Sequence, residues 1–368
     1  MDQLKKKKIF VGMSGGVDSS VSAALLKEQG HEVIGVFIKV WQADFLPCTW
    51  REERRDAMRA AAHLGIPFLT LDLEKEYKKE VVDYMIREYG AGRVPNPDVM
   101  CNKYVKFGAF LDFAKKHNAD FVATGHYARV VTSPQSLVPS KYELHAGIDK
   151  EKDQSYFLWT LTQDQLARTL FPVGHLEKSA VRDLARKYGL PNAEKKDSQG
   201  LCFMGPVDVA DFLKHYLKTE KGDVLDKEGS VVGTHEGAML YTIGQRHGFT
   251  TTKKSADEAP YFVIAKDIDK NTITVAHLAS SASEEHINTV LVTELNIISD
   301  GEILSEDVRA RIRYRGKLVP VTVGRYDKVK KSIEVTFGLP EAGIATGQSL
   351  VFYTREKCIG GGTITKIL

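Results

Sequence analysis

Short apolar runs alternate with helical patterns through the first half of the chain, and few architectures accept that order. Lys8-Ile9-Phe10-Val11-Gly12 reads as a buried strand, and Val21, Ala24 and Leu25 then recur at helical spacing until Gly30. Residues 32–38, 67–71 and 120–124 read as three more strands, and residues 54–64 as a helix. Alternation of this kind predicts an α/β fold built on a doubly wound, mostly parallel sheet. Ligands on such sheets sit beyond the carboxyl ends of the strands, so the residues there are the first to inspect.

Past residue 210 the pattern changes. A helix finishes over 211–217, and Gly222, Gly229, Gly233 and Gly237 punctuate the next stretch of chain. Segments 289–293, 308–314, 319–323, 332–337 and 349–353 then read as short strands separated by turn residues, as in a small barrel. The expected organisation is an α/β domain over 1–210, a small central domain over 211–282 and a C-terminal β-barrel over 283–368. With 43% apolar and 27% charged residues the chain has the composition of an ordinary globular protein. Its net charge of +3 excludes nucleic-acid binding by bulk charge alone, so any such contact needs local basic patches. Nothing approaches the roughly 20 apolar residues of a membrane span, and Lys5 to Lys8 precede no apolar signal segment. The chain therefore reads as cytoplasmic, with no membrane partner.

Between the first strand and the first helix lies Gly12-Met13-Ser14-Gly15-Gly16-Val17-Asp18-Ser19. Glycines let the backbone turn sharply and approach a ligand, and the helix N-terminus offers free N–H groups to an anion. The spacing fits neither GxGxxG nor GxxxxGK[ST]. It does resemble the pyrophosphatase-type loop (PP-loop) of ATP-dependent enzymes that adenylate an oxygen and release pyrophosphate. Asp18 would then place magnesium or the loop itself.

The four cysteines, Cys48, Cys101, Cys202 and Cys358, form no CxxC pair, which favours free or catalytic thiols in a reducing compartment. Asn96-Pro97-Asp98-Val99-Met100-Cys101 sets a carboxylate three residues before a thiol. Pro95 and Pro97 favour a loop there, leading to a helix from about Lys103. A thiol at that helix N-terminus would be more readily ionised. Cys202 follows Asp197-Ser198-Gln199-Gly200-Leu201 in a second polar setting, whereas Cys48 and Cys358 read as structural. Arg309, Arg311, Arg313 and Arg315 alternate with apolar residues, so a strand would place all four guanidiniums on one face. Such a stripe suits either a solvated barrel face or phosphate tracking.

Taken together, SGGVDS at 14–19, PNPDVMCNKYVKFG at 95–108, ATGHYAR at 123–129, KDQSYFL at 152–158, DSQGLCF at 197–203 and YTIGQR at 241–246 resemble the bacterial tRNA-specific 2-thiouridylase family. The resemblance spans essentially the whole chain, and Ile38 stands where the family usually has Met. It implies an adenine nucleotide alpha hydrolase-like catalytic domain that uses ATP and Mg2+ to install sulfur at C2 of the wobble uridine. Gly12, Met13, Ser14, Gly15, Gly16, Val17, Asp18, Ser19, Ile38 and Gly125 would hold ATP. Asn96, Pro97 and Asp98 would contact the flipped base, with Asp98 as proton acceptor or base-positioner. Cys101 would be the nucleophile and Cys202 the carrier of a persulfide, the two ending as a disulfide. His126, Lys152, Asp153, Gln154, Arg313, Tyr314 and Gln348 would touch tRNA. A protein that donates persulfide sulfur is the second implied partner. No metal site within the protein is implied.

Other readings of these residues stay open at this point. An adenylating ligase or amidotransferase would use the loop but leave both polar-site cysteines idle. An RNA-binding module using ATP only as a conformational ligand would tolerate loss of both thiols. An iron–sulfur protein would need more cysteine ligands than the spacing supplies.

Overall fold

A computed structural model describes residues 6–132, 142–197, 208–252, 260–277, 287–299, 303 and 307–368 apart from 325, 328 and 342. The first domain is a five-stranded parallel sheet of β1 (Lys8–Gly12), β2 (Glu32–Lys39), β3 (Phe68–Asp72), β4 (Phe121–Ala123) and β7 (Thr169–Leu170), in the order β3-β2-β1-β4-β7. Period-two alternation explains why the inner strands are apolar throughout. Ile9 and Val11 of β1 face one core, shared with α1 (Val17–Glu28) and α2 (Trp50–His63). Phe10 faces the opposite core with Phe107 and Phe110. Gly30 ends α1 as the sequence suggested. It takes φ +86 just beyond the helix, and His31 N–H bonds to Leu26 O at 3.2 Å to close the last turn.

β2 lies on one side of β1 and β4 on the other, so the strand order reverses at β1. The loops leaving β1 and β4 therefore flank the crevice where such sheets take ligands. The helix α2 begins at Trp50, four residues ahead of the expected start.

The central region is a second sheet of β8 (Gly222–Leu225), β9 (Val231–His235), β10 (Thr250–Thr251), β11 (Tyr261–Asp267) and β12 (Thr272–His277), antiparallel except for the β8–β12 pair. The C-terminal strands are β13 (Ile287–Ile297), β14 (Arg309–Arg311), β15 (Val319–Val323), β16 (Ile333–Glu341), β17 (Ser349–Thr354) and β18 (Lys357–Ile367). Pairing of β13 with both β16 and β18 closes these six strands into an antiparallel barrel around Val292, Ile312, Phe337, Leu350 and Phe352.

Two features depart from the sequence reading. A hairpin of the first domain, β5 (Ala128–Thr132) and β6 (Tyr142–Ala146), extends the barrel sheet by pairing β6 with β18. The arginine strand is also shorter than expected: β14 stops at Arg311, and Arg315 takes the left-handed φ of +58. The four guanidiniums consequently do not form one stripe. Arg309, Arg313 and Arg315 are exposed, while Arg311 turns inward to Asp153 at 3.1 Å and stacks over Tyr353. Among the described residues no helix is long and apolar enough to cross a membrane.

Candidate active site

Directly after β1, the glycine-rich loop is tied down at both ends. Met13 N–H bonds to Val36 O at 2.8 Å, and Asn192 Nδ2 reaches Gly15 O at 2.9 Å and Ser20 Oγ at 3.0 Å. Ser14 Oγ and Ser19 Oγ lie 3.4 Å apart across the turn. The N-cap of α1 is Gly16, which supplies no side-chain cap, so the first-turn N–H groups remain for an anion. Gly125, leaving β4, approaches so closely that a Cβ there would lie 2.7 Å from Ser19 N. The loop after β1 and Gly125, just beyond β4, thus meet at the head of α1. Ile38 lies near the carboxyl end of β2, in register with Leu71 of β3.

The arrangement suits a nucleotide triphosphate: an uncapped helix end, two small hydroxyls and close backbone. Gly15 has φ +79, and a Cβ would fall 2.4 Å from Glu53 O of α2. Gly15→Ala should therefore destabilise the fold by about 1–3 kcal/mol through backbone strain alone and weaken ATP binding further as the loop shifts. Calorimetric unfolding and ATP titration of the variant check both effects.

Asp18 sits in the first turn of α1, where its Oδ1 accepts from Tyr127 Oη at 2.8 Å and pairs with Lys178 Nζ at 2.6 Å. Burial, with Asp18 next, raises the Tyr127 pKa far above its usual range, so the phenol stays a donor. Lys178 opens α3 (Lys178–Lys187) and also reaches Asp197 at 2.9 Å, which Lys152 and Arg182 contact at 2.7 and 3.0 Å. Burial pushes the Asp197 carboxyl up, but hydrogen bonds from Lys152 and Lys178 outweigh it and hold the group at about 2. With a depressed folded pKa, this carboxylate stabilises the fold above the unfolded value near 3.8 and loses that contribution as pH falls toward 2. Asp197→Asn is expected to lower the urea midpoint at neutral pH and to flatten its decline between pH 4 and 2. Among the described residues no three His, Cys, Asp or Glu side chains gather as a metal site.

The thiol helix packs against the other face of β1. It begins at Pro97–Met100, continues through a wider-wound stretch Cys101–Ala109 and ends as Phe110–Lys116. This corrects the expected loop and later start. Asn96 is the N-cap, accepting from Val99 N at 3.2 Å, and Pro97 fills the first helical position, where no N–H is needed. Cys101 therefore lies beyond the first turn, where the dipole effect has fallen away, and is only 4% exposed. The helix-terminus argument for its reactivity does not hold. Burial pushes the half-buried Asp98 carboxyl up from the usual range, opposed by the Lys106 charge. Burial and the same Lys106 drive the His126 pKa well below 6.5. The neutral imidazole has Nδ1 2.6 Å from Thr124 Oγ1 and Nε2 3.5 Å from Lys106 Nζ, so the ammonium donates to Nε2. Lys106, on the same helix as Asp98, thus links that helix to the strand end of His126.

Of the residues expected at tRNA, several are committed internally. Asp153 is buried, with Oδ1 accepting from Gly147 and Ser155 N–H and Oδ2 paired with Arg311, so its carboxylate does not face outward. Gln154 Oε1 accepts from Tyr127 N at 3.0 Å, and buried His126 presents no charge. Lys152 is paired with Asp197. Arg313 is exposed, 4.0 Å from Glu341, and Tyr314 packs on Phe157 with ring centres 4.6 Å apart. Gln348 braces its own loop through Ala345 N and Gly343 O, and that loop meets the approach to Asn96, where Val94 N bonds to Thr346 O at 2.8 Å. The Tyr156 hydroxyl sits 3.1 Å from both Ile312 O and Ser349 O and also hydrogen-bonds the Asn96 side chain. The barrel residues Arg313, Tyr314 and Gln348 are thereby drawn to the start of the thiol helix.

Sequence reasoning missed Tyr127, Tyr156, Lys106, Lys178 and Asn192. Tyr127, Tyr156 and Lys106 fall inside the motifs that carry the family resemblance, whereas Lys178 and Asn192 carry no local signal. Cys358 is fully buried in β18, its thiol pushed up to about 12 chiefly by burial, whereas Cys48 is exposed. Cys202, and with it the expected persulfide and disulfide, lies outside the described residues.

A parallel sheet with a PP-loop at its switch point, joined through a central sheet to a closed six-stranded barrel, defines a PP-loop nucleotide-domain protein with a barrel appended. Residues 7–206 match the family model described as a tRNA methyl transferase HUP domain, 210–277 its PRC-barrel domain and 287–364 an aminomethyltransferase beta-barrel domain. The chain is 44% identical to the tRNA-specific 2-thiouridylase MnmA of Enterococcus faecalis over 364 residues, covering 98% of this chain and 96% of that protein. It is 45% identical to that of Streptococcus thermophilus over 370 residues, covering 99% and 96%. The chain belongs to the tRNA-specific 2-thiouridylase family. Among solved structures, the U34-tRNA thiolase NcsA from Methanococcus maripaludis aligns with a TM-score of 0.36 and 18% identity over 58% of this chain and 65% of that one.

Proposed function

We propose that this protein is an ATP-dependent tRNA-uridine 2-sulfurtransferase acting on the wobble uridine. The observation that carries the reading is the placement of Asp98 and Cys101 at the start of a helix that packs antiparallel along β1. The far end of this helix reaches Lys8 and Phe110 lies beside Gly12, so its start lies toward the strand end that opens into the nucleotide loop. Family membership supports the substrate class. Residues 12–19, Ile38 and Gly125 would bind ATP. Asp18 is already held by Tyr127 and Lys178, so Mg2+ would arrive with the triphosphate rather than rest on a preformed protein site.

The C2 oxygen of uridine is a poor leaving group, and adenylation turns it into one that departs as AMP. The base must first leave the anticodon stack, a modest cost because loop bases are already partly unstacked. Asn96, Pro97 and Asp98 would receive it, with the Asp98 carboxylate accepting the proton released at N3 or orienting the ring. The outer sulfur of a Cys202 persulfide then attacks C2, forming the C–S bond as the C–O bond breaks. Cys101 thiolate attacks the Cys202 sulfur, forming a Cys101–Cys202 disulfide and expelling 2-thiouridine as its thiolate. An external thiol reductant and a persulfide donor protein reset the enzyme. Arg313, Tyr314 and Gln348 suit contact with the tRNA body beside the base entry. Lys152, Asp153, Gln154 and His126 would act mainly by holding that region in shape.

Purified protein incubated with ATP, Mg2+, unmodified tRNA and a persulfide donor should yield 2-thiouridine and AMP together. Intact tRNA binding with neither product would overturn the proposal in favour of a binding module.

A further inference from the structure

We propose that Lys178 is a phosphate-binding residue of the nucleotide site, placing its ammonium on the β- or γ-phosphoryl oxygens of ATP and on released pyrophosphate. The inference rests on the functional reading above and adds a residue from outside the loop to it. Residues 12–19 contain no Lys or Arg, so the loop offers phosphates only N–H dipoles and hydroxyls. Four negative charges on a triphosphate call for a cation close by, and the geometry supplies one from α3. Lys178 Nζ lies 2.6 Å from Asp18 Oδ1, in the first turn of the uncapped helix, and 2.9 Å from Asp197 Oδ1.

These contacts engage two of the three N–H donors of the ammonium, leaving one to point elsewhere. Its side chain is 13% exposed, and partial exclusion of water strengthens its field. Both carboxylates keep other partners if Lys178 turns to a phosphate. Asp18 retains Tyr127 Oη, and Asp197 retains Lys152 and Arg182. Lys178 is therefore the cation of this cluster that touches the loop and can be shared with a ligand without stranding a buried charge.

Isothermal calorimetry with ATP, inorganic pyrophosphate and AMP tests the assignment in the full chain. Lys178→Met should weaken ATP and pyrophosphate binding at least tenfold and leave AMP affinity unchanged, which also shows that the variant is folded. Removing one lysine exposes Asp18 and Asp197, so repulsion could mimic the effect. The double variant Lys178→Met with Asp197→Asn keeps the wild-type net charge and should remain weak, while Lys178→Arg should recover most of the affinity. Wild-type affinity in the double variant, unchanged binding in Lys178→Met, or an equal loss for AMP would overturn the assignment. A wild-type protein that binds neither ATP nor pyrophosphate would overturn the functional reading as well.

Discussion

Cys101→Ser should cut release of 2-thiouridine by on the order of 10³-fold or more, the scale seen when a reacting nucleophile is removed. The loss has a specific shape in this account. Adenylation and persulfide attack precede any demand on Cys101, so the variant should stall with tRNA joined to Cys202 through a disulfide. Non-reducing gels should show that adduct, one equivalent of AMP should accompany it, and added dithiothreitol should release 2-thiouridine by doing the work of the missing thiol. Cys358 and Cys48 serve as controls. The first is buried in the barrel with its thiol pushed to about 12, and the second is exposed. Normal 2-thiouridine release from Cys101→Ser without reductant would remove Cys101 from the mechanism.

Asp98→Asn should lower thiolation by about 10²–10⁴-fold, the usual range for a proton-transfer group, while raising thermal stability. The two effects share one cause. Burial raises the folded-state pKa of Asp98 above the ordinary 3.8. Between those values the folded protein binds more protons than the unfolded chain, so stability falls as pH rises through that window. At neutral pH the ionised carboxylate is a standing cost that the amide removes. The rate runs the other way: ionised Asp98 is the active form, so activity should fall as pH drops through the raised pKa, and the variant should lose this acid limb. Scanning calorimetry and single-turnover rates across pH separate the two. A variant that is less stable and keeps the acid limb would contradict this role.

Much of the catalytic sheet was legible in the sequence because its determinants are local. β1 is apolar on both faces, a glycine turn follows, and a left-handed Gly30 ends the helix, so each boundary carries its own residue signature. The start of the thiol helix is ambiguous in the sequence. Asn96 followed by Pro97 is a helix start, a cap and a first-position proline, yet two prolines in three residues read equally well as a loop. Longer-range features had no local trace. The β5–β6 hairpin joins β18 from more than 200 positions away in sequence, and Arg311 leaves its expected outward stripe because Asp153 waits buried beneath it. Lys178 reaches Asp18 across 160 residues. Local spacing cannot announce a contact that only the folded sheet creates.

The central claim is that the C2 oxygen of uridine leaves attached to AMP. Unmodified tRNA carrying heavy oxygen at C2 of the wobble uridine tests it directly, with mass analysis of the AMP formed in one turnover. The account predicts one heavy oxygen in the AMP phosphate for each 2-thiouridine made. Unlabelled AMP alongside 2-thiouridine would contradict it.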